Sequence, residues 1–330
     1  MEATAFPVFR EQLLDRRRKL ETAAVRRGAG EVTRLLQEVD AALRRLEMGT
    51  FGLCETCHDP IEADRLLSDP LTRFCLDHLT AGEQRALEQD LDLASRIQRE
   101  LLPKADTRLD GWEIAYHYQP AGPVSGDYCD LIRGRGGELY FAVGDVAGKG
   151  VAAAMLMSHL SAMLRTLISV GLPLATLMER ASRVFCESTL PSHYATLVCG
   201  CASASGEVEI CNAGHPPPLV IRESGITAID ATGLPIGMFS SEQFSSHVVR
   251  LDPGESVLLY SDGLIETQSA AGVEYGIDRL SALAASGARR APTEVVGACV
   301  DDLTRFRGVQ SVADDLTVMA IRRAFGETGL

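Results

Sequence analysis

Four aspartate-bearing stretches constrain the fold of this chain more than anything else in it: VSGDYCD (124–130), GDVAGKG (144–150), YSDGLIE (260–266) and ADDLT (313–317). Each sets a carboxylate beside Gly or a short polar residue at the end of an apolar run, where a strand is expected to stop and a loop to begin. One such end is ordinary. Four predict strand ends converging on a hard cation, because Mg²⁺ and Mn²⁺ take oxygen ligands and clustered carboxylates otherwise repel one another.

From Gly111 onward the pattern supplies those strands. WEIAYHYQP, ELYFAVGDV, YATLVCGCAS, VEICNAGH, PPLVIRE, SVLLYSDG and LTVMAIRR read as strands, several ending at Gly, Asn or Asp. Helical patterns fall at about 150–170, 173–189, 276–287 and 292–306. Strands outnumber helices, and many follow one another too closely for helical crossovers. The expected class is therefore α+β, with paired sheets layered between helices, and not a parallel doubly wound sheet.

At 330 residues the chain predicts two units. Its net charge of −13 argues against broad nucleic-acid or anionic-membrane binding. No apolar run reaches the roughly 18 residues that span a bilayer. The start of the chain, with Arg10 and the basic run 16–19, lacks a signal-peptide apolar region, so a cytoplasmic location is expected. Of nine cysteines, Cys129, Cys186, Cys199, Cys201, Cys211 and Cys299 sit singly in apolar surroundings and read as small buried hydrophobes.

Cys54, Cys57 and Cys75 differ. Cys54 and Cys57 form C-x-x-C, and Cys75 with His78 forms C-x-x-H. Two close pairs of thiolate and imidazole ligands suit one tetrahedral Zn²⁺, and four protein ligands leave no open position, so the site should be structural. His58 competes as a ligand, but it adjoins Cys57 and immediate neighbours seldom both reach one ion. Before this knot, 8–27 and 31–48 read as an antiparallel helical hairpin broken at Gly28, Ala29 and Gly30.

The run EVDAALRRLEMGTFGLCETCHDPIEADRLLSDPLTRFCLDH resembles the zinc-finger region of the DksA/TraR family. His78 stands where that family commonly has Cys. The resemblance also implies RNA polymerase as a partner, but the family's regulators carry acidic residues at a longer hairpin tip. Here the tip holds Arg26, Arg27 and Gly28, which argues against that contact.

After the finger, Thr80 and Glu83 form a capping box, and Leu87, Leu91, Ala94, Ile97 and Leu101 recur at helical spacing until Pro103. The stripe suits either a short coiled coil in a homodimer or packing on the chain's own second domain. The expected organisation is 1–80, hairpin and finger; 81–103, helical linker; 104–330, the strand-rich domain.

In that last domain the succession VSGDYCD, GDVAGKGVAAAM, ATLVCGCASASGEVEICNAGHPPPLV, TGLPIGM, LDPGESVLLYSDGLIE and DDLTVMAI resembles the SpoIIE/RsbU group of PPM phosphatases, the protein phosphatase 2C superfamily. The resemblance implies hydrolysis of phosphoserine or phosphothreonine in proteins with two Mn²⁺ or Mg²⁺ ions. It places Asp145 between both metals, with the carbonyl of Val146 and Asp127 on one, and Asp262 with Asp314 on the other. Asp130 and Asp315 would act through water or hydrogen bonds. The implied substrate is a phosphorylated anti-sigma-factor antagonist of the STAS type. Ser125 stands where the family usually has a second Gly.

Rival readings of the same residues are weaker. GDVAGKG lacks the frame of a P-loop around Lys149. Asn212 and His215, in CNAGHPPPL, fit a structural turn better than acid–base catalysis. A non-catalytic DksA-like transcription regulator with an inert second half is the alternative function, and the intact aspartate set argues against it.

Overall fold

The computed structural model describes residues 6–24, 30–62, 65–66, 69–79, 81–104, 106–190, 193–240, 242–310 and 312–325. The chain divides into two compact units, Met1–Asp90 and Leu91–Leu330.

In the first unit, helices α1 (Phe6–Ala24) and α2 (Gly30–Glu47) bury Phe9, Leu13, Val39 and Ala42 in one core with Phe51, Cys54, Ile61, Leu66 and Cys75 of the loops that follow. The cysteine knot is therefore part of the hydrophobic centre of its unit. Arg17 Nε pairs with Asp40 across the hairpin at 3.1 Å. The buried Arg45 reaches from α2 to the carbonyls of Leu71 and Thr72, each at 3.3 Å, and ties the hairpin to the finger. Arg26, Arg27 and Gly28 of the tip, and Thr80 of the capping box, lie outside the described residues.

Helix α3 (Ala81–Leu101) contains the boundary between the units. Its side chains depart from the expected single stripe. Leu91, Ala94 and Leu101 are half-buried, whereas Leu87 and Ile97 are exposed and the buried residue is Gln98. At 3.6 residues per turn, Gln98 lies seven positions and nearly two full turns beyond Leu91, on its face, while Ile97 is rotated about 120° away.

The second unit is a sandwich of two antiparallel sheets. One contains β1 (Thr107–Leu109), β2 (Trp112–Gln119), β7 (Leu219–Arg222), β8 (Gly225–Ala228), β10 (Ser256–Tyr260) and β11 (Leu316–Arg323), in the order β1-β2-β11-β10-β7-β8. The other is β3 (Asp127–Arg133), β4 (Leu139–Val146), β5 (Ala195–Ala202), β6 (Glu207–Ala213) and β9 (His247–Arg250), paired in chain order. Side-chain alternation sorts the residues into layers. Phe141 and Val143 of β4 join Val257, Leu259, Met319 and Ile321 between the sheets. Tyr140 and Ala142 face outward to α4 (Gly150–Val170) and α5 (Leu174–Ser188). The outer face of the first sheet packs on α7 (Ile277–Ala285) and α8 (Pro292–Arg307), and α6 (Asp262–Ile265) is a single turn.

Helix α4 is long and apolar enough, by composition, to cross a membrane. In this fold Ala153, Met157, Leu160, Leu164 and Ile168 pack it onto the sheet. Burial of each leucine contributes about 1.5–3 kcal/mol.

Strands β1, β3, β8 and β9 fall outside those expected from the sequence. The expectation that all four aspartates end strands is corrected as well: Asp145 closes β4 and Asp262 follows β10, but Asp127 opens β3 and Asp314 precedes β11. An antiparallel pair sets the start of one strand against the end of the next, so a mixture of starts and ends is what gathers residues at one rim.

Candidate active site

The register of β3 and β4 puts Asp127 opposite Asp145. The loops after β10 and before β11 bring in Asp262 and Asp314, close enough that their charges act on Asp145. Both sheets thus contribute carboxylates to one rim of the sandwich. Gly263 permits this approach: a Cβ there would collide with the carbonyl oxygen of Asp315.

The electrostatics are those of a crowded anionic site. Burial, then the charges of Asp262, Asp314 and Asp315, push Asp145 up to about 7 against the pull of Lys149. Asp262 is raised by burial and by Asp314. Asp127, 1 % exposed, is raised well above the ordinary carboxylate range by burial, despite a 2.6 Å hydrogen bond donated by Thr317 Oγ1 to its Oδ2. Lys149 Nζ lies 3.1 Å from Asp314 Oδ2. A single ammonium leaves most of the four carboxylates uncompensated. Carboxylate oxygens are the donors that Mg²⁺ and Mn²⁺ prefer, so Asp127, Asp145, Asp262 and Asp314 are candidate ligands.

Asp315 does different work. Its Oδ1 accepts from the N–H of Ala121 at 2.7 Å and its Oδ2 from that of Gly126 at 2.9 Å, so it holds the loop leading into β3. Asp130, on the opposite face of β3 from Asp127, is fully buried and held by Arg165 of α4 through bonds of 2.7 and 2.8 Å and by the Tyr128 hydroxyl. Its carboxylate belongs to the helix–sheet layer.

Gln98 of α3 grips the same loop from outside the sandwich. Its Nε2 donates to the carbonyl of Ser125 at 2.7 Å and its Oε1 accepts from the N–H of Ser125 at 3.0 Å. Ser125 Oγ in turn accepts from the N–H of Asp127 at 3.0 Å. Arg165 Nη2 also donates to the carbonyl of Leu101, at 3.3 Å, so the end of α3 is tied to α4 as well.

Asn212 and His215 shape a turn. The Asn212 side chain bonds both the N–H of His215, at 2.8 Å, and its carbonyl, at 3.0 Å. His215 Nδ1 meets Thr196 Oγ1 at 2.8 Å, and burial lowers its pKa to about 3, which keeps the ring neutral.

Thr317, Gln98 and Arg165 escaped the sequence reading. Thr317 had a readable signal: it shares the inward parity of Met319 and Ile321, so a polar residue there needs a buried partner. Gln98 had none, since Gln is unexceptional on a polar helix.

In the first unit, the ligand atoms of Cys54, Cys57, Cys75 and His78 all lie within 4.8 Å of one another. Cys57 Sγ and Cys75 Sγ are 3.8 Å apart, and Cys75 Sγ is 3.3 Å from His78 Nδ1. Zn–S bonds of about 2.3 Å in a tetrahedron require a sulfur–sulfur edge of about 3.8 Å. His58 is exposed and outside this group.

The helix–sheet–sheet–helix arrangement with aspartates on its rim is the PP2C phosphatase fold, shared with solved structures. Residues 135–324 match stage II sporulation protein E (SpoIIE), and the chain belongs to that family. Residues 49–77 match the prokaryotic DksA/TraR C4-type zinc finger, a span that stops just short of His78. The chain is 27 % identical over 263 residues to Protein IcfG of Synechocystis sp., covering 71 % of this chain and 41 % of that protein. It is 25 % identical over 248 residues to the phosphoserine phosphatase RsbU of Bacillus subtilis, covering 73 % and 72 %. The structure of the RsbU and RsbW domains of Rv1364c from Mycobacterium tuberculosis is similar with a TM-score of 0.58 at 31 % identity, covering 68 % of this chain and 63 % of that one.

Proposed function

We propose that this chain is a metal-dependent protein phosphatase that hydrolyses phosphoserine or phosphothreonine on a regulatory protein. The observation that carries the reading is the convergence of Asp127, Asp145, Asp262 and Asp314 from both sheets onto one rim with too little positive charge to balance them. In this reading Asp145 would serve both of two divalent cations, with the Val146 carbonyl and Asp127 on one and Asp262 with Asp314 on the other. When bound there, two Mn²⁺ or Mg²⁺ ions would supply an acidified water and offset charge on the phosphoryl oxygens. The chain's own groups fix the donors in place: Thr317 orients Asp127, Asp315 fastens the loop before it, and Gly263 lets the Asp262 turn close on the Asp315 carbonyl.

The likeness to the phosphoserine phosphatase RsbU supports a phosphoserine substrate, and the motif resemblance points to a phosphorylated anti-sigma-factor antagonist of the STAS type, in the cytoplasm. The finger, 1–80, acts as a regulatory module with one structural Zn²⁺ on Cys54, Cys57, Cys75 and His78, and 81–103 transmits its state to the phosphatase domain, 104–330. The Gln98 grip on Ser125 supports that route, because Ser125 holds the N–H of Asp127. Leu93 and Ile97, exposed one turn apart on α3, support a homodimer through this helix.

The test is Mn²⁺-dependent release of phosphate from a phosphoserine protein by the wild type and Asp145→Asn, with folding matched by circular dichroism. Loss of at least about a hundredfold in the variant is expected, in line with removing a principal electrostatic group from an active site. Equal activity in both proteins, or none in either, removes the assignment.

A further inference from the structure

A cleft of about 560 Å³ opens beside the carboxylate rim, and its lining includes Lys149, Gly263 and Asp314 of the candidate active site. It also includes Arg307 and Gln310, from the end of α8 and just beyond it. The volume lies within the ~300–1,000 Å³ of ordinary ligand clefts and is several times what a phosphoryl group fills. The remainder is large enough to admit a segment of chain next to the reacting phosphate.

Arg307 is the cation in this cleft whose charge is uncommitted. Lys149 is paired with Asp314 at 3.1 Å. Gln310 Nε2 donates to the carbonyl of Ser269 at 3.3 Å. Among the described residues no carboxylate lies within ion-pair distance of Arg307, although Glu266 lines the same cleft, and its Nε is shielded from water without an acceptor. A shielded donor left without a partner is unfavourable, and a guanidinium presents a fork matched to a carboxylate. In a chain of net charge −13, such a cation at the mouth of an anionic site is conspicuous.

We propose that Arg307 is a specificity-determining residue: it pairs with an acidic side chain that adjoins the phosphoserine in the substrate segment, while that segment lies in the cleft. The inference rests on the phosphatase reading, and it adds a sequence requirement that the carboxylate rim alone does not impose. It also assigns a role to the end of α8, which no aspartate motif includes.

The probes are synthetic phosphoserine peptides identical except for Asp or Lys beside the phosphoserine. The full chain is assayed with Mn²⁺, and peptide binding is read separately by fluorescence anisotropy without added metal. The wild type is expected to favour the Asp peptide by about tenfold in kcat/KM, chiefly through KM, and to bind it more tightly. Arg307→Glu inverts the preference, and Arg307→Lys retains its sign. An equal preference in wild type and Arg307→Glu, or no preference in the wild type, overturns the inference. If neither peptide is turned over but anisotropy shows the preference and its inversion, the cleft assignment stands and the phosphatase reading falls.

Discussion

At the scale of the residue, the sequence pattern marks the candidate carboxylates, while the groups that bond to them mostly carry no such mark. Aspartate beside glycine after an apolar run is a local pattern, so Asp145 and Asp262 could be read from their neighbours in the chain. The partner of Asp127 is Thr317, 190 positions away, and only the packing of one sheet on the other joins them. Thr317→Val keeps the shape and removes the donor. It should raise the Mn²⁺ concentration for half-maximal phosphatase rate by about 10–100-fold, the usual effect of losing a group that orients a metal ligand; a titration of rate against Mn²⁺ checks this. His215 predicts a pH effect on stability. Its folded pKa of about 3 lies below the ordinary 6.5, so between those values the unfolded chain binds the extra proton. Its contribution to stability is therefore complete above pH 6.5 and lost as pH falls towards 3, by at most about 1.4 kcal/mol per pH unit. Denaturant melts of wild type and His215→Gln across that window should differ in slope by this amount, with the variant flatter.

At the scale of the element, period-2 and period-3.6 patterns revealed the long strands and helices because each has one face on a core. The short strands β1, β8 and β9 were missed, since three or four residues carry too little alternation to read. The face of α3 is only partly legible, for another reason. The leucine spacing suggests an apolar seam, yet a buried carboxamide at Gln98 takes the central place because the backbone of Ser125 offers it both a donor and an acceptor. Gln98→Leu fits the seam pattern better and should nevertheless destabilise the protein. It strands the N–H and the carbonyl of Ser125, at about 1–3 kcal/mol for each unsatisfied group. The expected outcome is a lower melting temperature and weaker Mn²⁺ dependence of the rate. A variant as stable and as active as wild type would count against the grip.

At the scale of the whole molecule, each unit has its own core, one around Phe9, Val39 and Cys75 and the others within the sandwich and on its two faces. Removal of zinc by a chelator should therefore unfold the finger unit alone, because the metal's binding energy is folding energy for a small knot of ligands. Calorimetry should show the first unit's transition disappear while that of the second persists. Deleting 1–80 should leave the second unit folded and change its Mn²⁺-dependent turnover; unchanged turnover would sink the proposed regulation. The sequence by itself determined the α+β class and the cysteine knot near the start of the chain. These depend on residue type, spacing and periodicity, which act over a few turns or one strand. Only the tertiary structure decided that Asp127 and Asp145 face each other, that Asp130 turns away to Arg165, and that Arg307 lines a cleft with Asp314. Those outcomes follow from strand register and from the packing of one layer on another. No stretch of chain contains them.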